Sequence, residues 1–289
     1  VPDSVAYVGI TKYINMYFGT FSGCEYVQTV YLNVSNGVEK IFEYGVNENG
    51  DEYIVSSLDN GAYVDAEAFY GCSSLTAVNF SGVLQWIGQN AFKGCTELIE
   101  ITVPENVKEI GTGAFEDCKG LTAINFNAIE CADAGTAISA NETRSNNVFA
   151  AAGENKSGIA VKIGKQVKSV PSFLFAVSGK NPAKIASLTF AEGAVCSSIG
   201  ESAFRGAGET SFTKISIAES VTKIGKNAFA GTAYYLDDNN RRDNVLYVDG
   251  CLIKADFKST TYSYNILTGT RIIADNAFEI TLTVGVSPE

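Results

Sequence analysis

The chain has 289 residues, 46% hydrophobic and 11% aromatic, which excludes disorder over most of its length. Its formal net charge of −11 at pH 7 excludes the clustered basic surface of a nucleic-acid-binding protein, so we expect no nucleic-acid partner. No apolar run approaches the ~18 residues that span a bilayer, and the lack of histidine removes the Ser-His-Asp and Cys-His triads and the usual zinc sites.

The beginning of the chain matches the middle of a motif that recurs later. Residues 1–8 align with residues 103–110, as Val-Pro-Asp-Ser-Val aligns with Val-Pro-Glu-Asn-Val. The chain therefore opens part-way through a repeat, and because terminal repeats normally carry a polar cap, we expect further chain upstream.

Phenylalanines then recur at a regular interval. Ala91-Phe92 returns as Ala114-Phe115 after 23 residues. A fixed period of about 20–50 residues is the signature of a solenoid. Counting these phenylalanines predicts about nine units in a single domain over residues 1–289, marked by Phe21, Phe69, Phe92, Phe115, Phe149, Phe175, Phe204, Phe229 and Phe278.

Three segments interrupt the period. Residues 47–61 are rich in Gly, Asn and Asp, which indicates a loop or hairpin, and residues 127–147 indicate a long surface excursion. Residues 234–268 form the largest insertion. Within it, Val245–Ile253 has strand-turn-strand character with Asp249-Gly250 as the turn.

Each unit has two parts. The first, Leu-x-x-(Val/Ile)-x-(Phe/Ile/Val), predicts a strand with alternate residues in the core and in an exposed ladder. The second, Val-x-x-Ile-Gly-x-x-Ala-Phe-x-Gly-Cys-x-x-Leu, predicts a short strand followed by a helical or 3₁₀ turn. The glycine after Ile, as in Gly111, serves either a positive φ or a close approach of the chain. The phenylalanines are expected to stack in the interior.

The recurring pattern Ile-Gly-x-x-Ala-Phe-x-Gly-Cys-x-x-Leu resembles the BspA-like leucine-rich repeat family. The match is strong over residues 69–126 and good over 162–229, although the unit at Phe149 lacks Ile-Gly and Pro171 replaces the usual glycine. The resemblance implies a repeat solenoid with a right-handed leucine-rich-repeat coil. One face would carry a parallel β-strand ladder, the other short strands and 3₁₀ or helical turns, with hairpin-like insertions. It also implies a bacterial-type surface or secreted protein without enzymatic activity, like the family's adhesins.

The exposed ladder is the predicted binding surface, because its side chains share one face of the sheet. The functional hypothesis is a recognition or adhesion module that binds an extracellular protein or glycan as a monomer without a cofactor. The alternative is a structural spacer in a larger surface protein, with a plain solvated face. The predicted ladder residues are Thr29, Tyr31, Asn79, Glu100, Thr102, Asn125, Lys162, Thr189, Lys214 and Ser216.

Other residues with possible chemistry have structural interpretations beside the functional ones. Cys24, Cys72, Cys95 and Cys118 each follow a repeat phenylalanine by three residues, which predicts a buried column of small side chains rather than a metal site. A disulfide among the remaining cysteines is left open. Residues 237–244 and 47–52 are solvated loops or calcium sites, and Tyr234-Tyr235 and Tyr262-Tyr264 are candidate aromatic anchors.

Overall fold

Parallel strands contributed by successive repeats form the framework of the protein. The computed structural model describes residues 7–10, 21–24, 28–32, 41–46, 52–58, 62–80, 82–137, 143–177, 180–256 and 264–279. In chain order its strands are β1 (Tyr7–Ile10), β2 (Thr29–Leu32), β3 (Ile41–Val46), β4 (Glu52–Leu58), β5 (Ala62–Val64), β6 (Ala77–Phe80), β7 (Leu84–Ile87), β8 (Glu100–Val103), β9 (Glu109–Ile110), β10 (Ala123–Phe126), β11 (Gly135–Ala137) and β12 (Thr143–Ser145). The later strands are β13 (Ile159–Ile163), β14 (Ser169–Val170), β15 (Ile185–Phe190), β16 (Ser198–Ile199), β17 (Lys214–Ile215), β18 (Lys223–Ile224), β19 (Arg241–Arg242), β20 (Val245–Val248), β21 (Cys251–Ala255) and β22 (Ile272–Ile273).

The largest sheet, which we call the first ladder, has the order β1-β2-β6-β8-β10-β13-β15-β17. All neighbouring strands in it are parallel. Side chains alternate along each strand, so that in β8 Ile101 and Val103 are buried while Glu100 and Thr102 are exposed. The predicted solenoid with a parallel ladder is therefore confirmed, and one face of that ladder is open to solvent.

A second, shorter ladder comes from the Ile-Gly part of the units. It consists of the parallel sets β5-β7-β9 and β14-β16-β18. The gap between β9 and β14 coincides with the unit at Phe149, which lacks the Ile-Gly pair in the sequence. Loss of the local motif thus corresponds to loss of the local strand.

The turn after each second-ladder strand carries the repeat phenylalanine into the core. Backbone N–H groups join successive turns, as when Phe92 donates to the carbonyl of Ala114 at 2.8 Å. Eight rings form a stacked column with centroids 5.0–5.6 Å apart: Phe21, Phe69, Phe92, Phe115, Phe149, Phe175, Phe204 and Phe229. The predicted internal stack is confirmed for these eight. Phe278 differs, since it is 40% exposed and packs against Tyr264 instead.

Two kinds of glycine shape this turn. A Cβ on Gly111 would lie 2.5 Å from the backbone nitrogen of Gln89 in the preceding unit, so close chain approach, not a positive φ, explains the glycine after Ile. Positive φ occurs instead on both sides of the phenylalanine, at Asn90 (53°) and Gly94 (77°) around Phe92. Glycine and asparagine adopt this left-handed conformation at little cost.

The first two insertions contain antiparallel strand pairs. β3 pairs with β4, and β11 pairs with β12. The antiparallel pairing at the first insertion starts at Ile41, before the predicted boundary at residue 47, and residues 47–51, between the two strands, lie outside the described part of the chain.

The third insertion is more ordered than a loop. It begins with the helix α1 (Ala233–Leu236), a 3₁₀-helix at Asp238–Asn240 and β19. The predicted hairpin is present as β20 and β21, joined through Asp249-Gly250, whose φ values of 44° and 73° suit a tight hairpin turn. β21 then pairs in parallel with β22 of the last unit, so the insertion is built into the end of the solenoid.

Candidate functional site

The register of the first ladder arranges the predicted binding residues in two columns. Column one connects through the strand pairs Thr29↔Ala77↔Glu100↔Ala123↔Ala160↔Ser187↔Lys214. Column two connects Tyr31↔Asn79 and, separately, Thr102↔Asn125↔Lys162↔Thr189, and is continued by Ser216, whose N–H donates to the Leu188 carbonyl at 3.0 Å. Nine of the ten predicted residues thus lie in strands of one sheet, about 4.8 Å apart, and Ser216 directly follows β17.

Hydrogen bonds between side chains join the two columns near their middle. The Asn125 amide donates to Glu100 Oε1 at 2.5 Å and to Thr102 Oγ1 at 3.2 Å. Glu100 and Thr102 are exposed, and Asn125 is half-buried. This cluster holds a carboxylate, a hydroxyl and an amide in a defined arrangement on the outer surface.

The ladder opens into a groove between β6 and β8. These two strands pair only at Ala77↔Glu100, whereas β8 and β10 pair at four positions. The groove has a volume of about 660 Å³. Its lining contains three of the predicted residues, Asn79, Glu100 and Thr102, together with Thr76, Ala77, Val78, Phe80, Ile99 and Pro104.

A proline explains why the strands separate at this point. In later units the residue after the strand donates its N–H to the strand end of the preceding unit, as Asn127 does to Val103 at 3.0 Å and Gly164 does to Phe126 at 2.8 Å. The residue in that position after β8 is Pro104, which has no N–H. The ladder therefore lacks one hydrogen bond where the groove opens. We did not predict the groove, although Pro104 was the signal for it.

The cysteine column is structural. All seven cysteines are free thiols. Cys95 Sγ donates to the carbonyl of Phe69, and Cys118 Sγ to that of Phe92, each at 3.2 Å. Burial raises the pKa of both thiols well above the ordinary range. The predicted column of buried small side chains is confirmed here, and the open question of a disulfide is answered by the free thiols.

Two carboxylates of the acidic loop at 237–244 have partners within the loop. Asp237 Oδ1 accepts from the N–H of Asn239 at 2.9 Å and so caps the 3₁₀-helix, while Asp238 lies 3.6 Å from the Arg241 guanidinium. Within the described ranges, no group of three or more metal-binding side chains occurs. The other candidate calcium loop, 47–52, falls almost entirely outside those ranges.

The tyrosines of the third insertion make internal contacts. The Tyr234 hydroxyl donates to the Tyr247 carbonyl at 3.0 Å, and the Arg241 guanidinium lies 5.5 Å from the centre of the Tyr235 ring. The Tyr264 hydroxyl donates to the Asp256 carbonyl at 2.8 Å. Tyr262 lies outside the described residues. These contacts therefore stabilise the insertion, rather than leave the predicted anchors free for a partner. Tyr234 and Tyr247 also border a pocket described below.

Stacked units, a parallel ladder and a phenylalanine column define a leucine-rich repeat protein. The family described as "BspA type Leucine rich repeat region" matches in six copies, within residues 9–122, 52–150 and 142–283. The chain belongs to this BspA-type leucine-rich repeat family. A comparison with curated proteins found no significant match. No helix in the described residues is long and apolar enough to cross a membrane.

Solved structures of bacterial leucine-rich repeat proteins are similar to this chain. A leucine-rich repeat protein of T. pallidum is 25% identical, with a TM-score of 0.42, over 68% of this chain and 89% of that one. One from Bacteroides ovatus is 18% identical, with a TM-score of 0.43, over 81% and 52%. A leucine-rich cell surface protein of Faecalibacterium prausnitzii is also 18% identical, with a TM-score of 0.36, over 83% and 74%.

Proposed function

We propose that this chain is a non-enzymatic recognition or adhesion module, which binds an extracellular protein or glycan through the exposed face of the first ladder. The observation that carries the proposal is the groove between β6 and β8, which contains three of the ten predicted ladder residues. Membership of the BspA-type family supports a protein that acts at the cell surface or after secretion. In this proposal the chain acts as a single domain and a monomer.

The groove has the mixed lining that ligand sites usually have. Asn79, Glu100 and Thr102 offer an amide, a carboxylate and a hydroxyl. Phe80 contributes apolar surface, and Ile99 is 52% exposed at the edge. Pockets of about 300–1,000 Å³ with apolar walls and a few polar groups are typical binding sites. The groove therefore offers a partner both contact area and directional hydrogen bonds.

A structural spacer is the second candidate function. Its support is the hydrogen bonding of Asn125 to Glu100 and Thr102, which satisfies these side chains without any ligand. A spacer needs only a solvated outer face, and small polar side chains supply one. The two functions differ in a simple respect, because a binder loses affinity when its ladder is changed and a spacer has no ligand to lose.

The first test measures binding to an array of extracellular-matrix proteins and glycans. The ladder variant combines Glu100→Ala, Asn125→Ala and Lys214→Ala. A matched control removes the same residue types away from the first ladder: Glu109→Ala, Asn155→Ala and Lys223→Ala, all at exposed positions. Saturable binding that survives in the control and is lost in the ladder variant supports recognition. Equal binding by both variants refutes binding through the first ladder, whereas no binding by the unmodified chain refutes recognition and favours the spacer.

A second test locates the site within the ladder. Asn79→Trp fills the groove, whereas Thr189→Trp places the same side chain in column two, on a strand that does not line the groove. Both positions are exposed, so both variants should fold. If the groove is the site, Asn79→Trp weakens binding by at least about tenfold, or 1.4 kcal/mol, and Thr189→Trp has little effect. The reverse order would place the site elsewhere on the ladder.

A further inference from the structure

A second cavity lies in the third insertion, apart from the first-ladder groove. It has a volume of about 420 Å³, within the range of small-molecule sites. It lies where α1 and the 3₁₀-helix face β20 and the chain at 267–270. The lining residues that matter here are Tyr234, Asn239, Asn240, Arg242, Tyr247 and Thr270.

Internal hydrogen bonds hold the walls of this pocket in place. Asn240 Nδ2 donates to the Tyr234 carbonyl at 2.9 Å, and the Tyr234 hydroxyl donates to the Tyr247 carbonyl at 3.0 Å. On the far wall, the Tyr247 hydroxyl accepts from the N–H of Leu267 at 3.1 Å. Thr232 caps α1 by accepting from the N–H of Tyr235 at 3.2 Å. Such a pocket loses little conformational entropy when it binds a ligand.

The two adjacent arginines of β19 have different surroundings. Arg241 is largely buried and donates to Asp256 Oδ2 at 2.5 Å and to the Tyr235 carbonyl at 2.8 Å. Successive side chains of a strand point to opposite faces. Arg242 is exposed and lines the pocket, and it forms no ion pair with any residue that the structure describes. Its guanidinium is therefore available to a ligand.

The pocket lining contains this cation and no carboxylate among the described residues. Three nearby acidic side chains have other partners. Asp237 accepts from Asn239, Asp249 Oδ2 accepts from the N–H of Ile217 at 2.7 Å, and Asp256 pairs with Arg241. The pocket therefore presents a positive charge in a chain whose net charge is −11. It favours a ligand that carries a negative charge.

The remaining lining groups indicate which class of negatively charged ligand the pocket fits. Tyr234 and Tyr247 provide aromatic surface, against which the apolar C–H face of a sugar ring packs. Asn239, Asn240 and Thr270 supply amide and hydroxyl groups of the kind that hydrogen-bond to sugar hydroxyls. A guanidinium matches a carboxylate in a planar, two-pronged geometry. We propose that this pocket binds an acidic sugar residue of a glycan, with the sugar carboxylate on Arg242.

Calorimetric titration of the full chain with two disaccharides tests this inference. One disaccharide carries a glucuronic acid, and the other carries glucose in its place. The acidic disaccharide should bind at least about tenfold more tightly than the neutral one, since charge-assisted pairs are the stronger hydrogen bonds. Equal affinities, or no binding of the acidic disaccharide, would overturn the proposal.

Variants locate the binding. Arg242→Gln should weaken binding of the acidic disaccharide by at least about tenfold, and Arg242→Lys should weaken it less, because lysine keeps the charge but not the fork. Arg205→Gln, in the turn of the unit at Phe204, is the matched arginine control and should bind normally. Because Arg242 is exposed, circular dichroism should show that its variants fold. Unchanged binding by Arg242→Gln would refute the assignment.

Two further controls separate this site from its alternatives. The ladder variant (Glu100→Ala, Asn125→Ala and Lys214→Ala) should retain binding of the acidic disaccharide, since the pocket does not depend on the first ladder. Loss of binding in that variant would move the site to the ladder and overturn this inference. Acetate should compete poorly, because it lacks the sugar ring. If acetate competed as effectively as glucuronate, the pocket would be a general carboxylate site, and the proposal that it recognises a sugar would be refuted.

Discussion

Removal of one ring from the middle of the phenylalanine column should destabilise the protein more than any surface change. Phe115 is fully buried and stacks on Phe92 at 5.4 Å and on Phe149 at 5.2 Å. Truncation of a buried phenylalanine to alanine costs about 3–5 kcal/mol. Each aromatic pair adds about 0.5–1.5 kcal/mol beyond area burial, so with two partners we expect Phe115→Ala to lie near the top of that range.

The matched control is Phe278→Ala at the end of the array. Phe278 is 40% exposed and contacts one ring, Tyr264, at 5.6 Å, so its loss should cost only about 1–2 kcal/mol. Urea unfolding followed by far-ultraviolet circular dichroism gives both free energies of unfolding. Trp86, the single tryptophan, lies in β7 and reports the neighbouring units by fluorescence.

The size and the cooperativity of the effect can both contradict this reasoning. In a repeat array, stability depends on interfaces between neighbouring units, so Phe115→Ala should shift the Trp86 transition as well as the circular dichroism transition. If Phe115→Ala cost no more than Phe278→Ala, the column would not be the core of the solenoid. If the Trp86 transition stayed unchanged while circular dichroism shifted, the units would be energetically independent.

Three further predictions concern the turns, the thiols and the last unit. Gly111→Ala should lower the free energy of unfolding by about 1–3 kcal/mol, because its methyl group would overlap backbone atoms, whereas Gly82→Ala points into open space and should be neutral in the same urea experiment. Burial raises the pKa of the Cys72 thiol from 9.0 to about 12. The protonated thiol therefore stabilises the folded state fully below pH 9, and this stabilisation is lost as the pH rises toward 12. Cys72→Ala should reduce the loss of melting temperature measured at alkaline pH. Arg271 donates to five backbone carbonyls, and Arg271→Lys should lower the melting temperature because lysine cannot reproduce that fork; an unchanged melting temperature would show that these bonds add nothing.

Much of the fold was predictable because a repeated local pattern has one consistent packing solution. Alternation in the strand motif predicted which residues of β8 face the core, and the phenylalanine period predicted the stacked column. The lack of Ile-Gly before Phe149 even marked the break in the second ladder. The insertions were harder: the first was predicted to begin at residue 47, whereas its antiparallel pairing with β4 begins at Ile41. Pairing between segments that are distant in sequence determines the structure of the insertions, and no local sequence period predicts such pairing.

The candidate sites were predictable only in part. Period and alternation placed nine of the ten ladder residues in strands of one sheet and Ser216 directly after β17, but they did not show the groove between β6 and β8. Pro104, which has no N–H to donate to the preceding strand, lines that groove, a detail that appears only when each ladder hydrogen bond is traced. The pocket beside Arg242 was missed for a different reason. Its walls come from residues 234–242, 247–250 and 267–270, and their approach follows from the packing of the insertion, not from sequence spacing.

Binding in this architecture should occur where the repeat is broken. Units stack because their interiors are alike, so the phenylalanine and cysteine columns can vary little without a loss of stability. A regular outer ladder presents small side chains that can bond one another, as Asn125 does with Glu100. Cavities open where Pro104 interrupts the ladder and where an insertion replaces a turn around Arg242. Under the proposed function, stability and recognition therefore depend on different residues, and the ladder and Arg242 variants should change affinity while the fold remains intact.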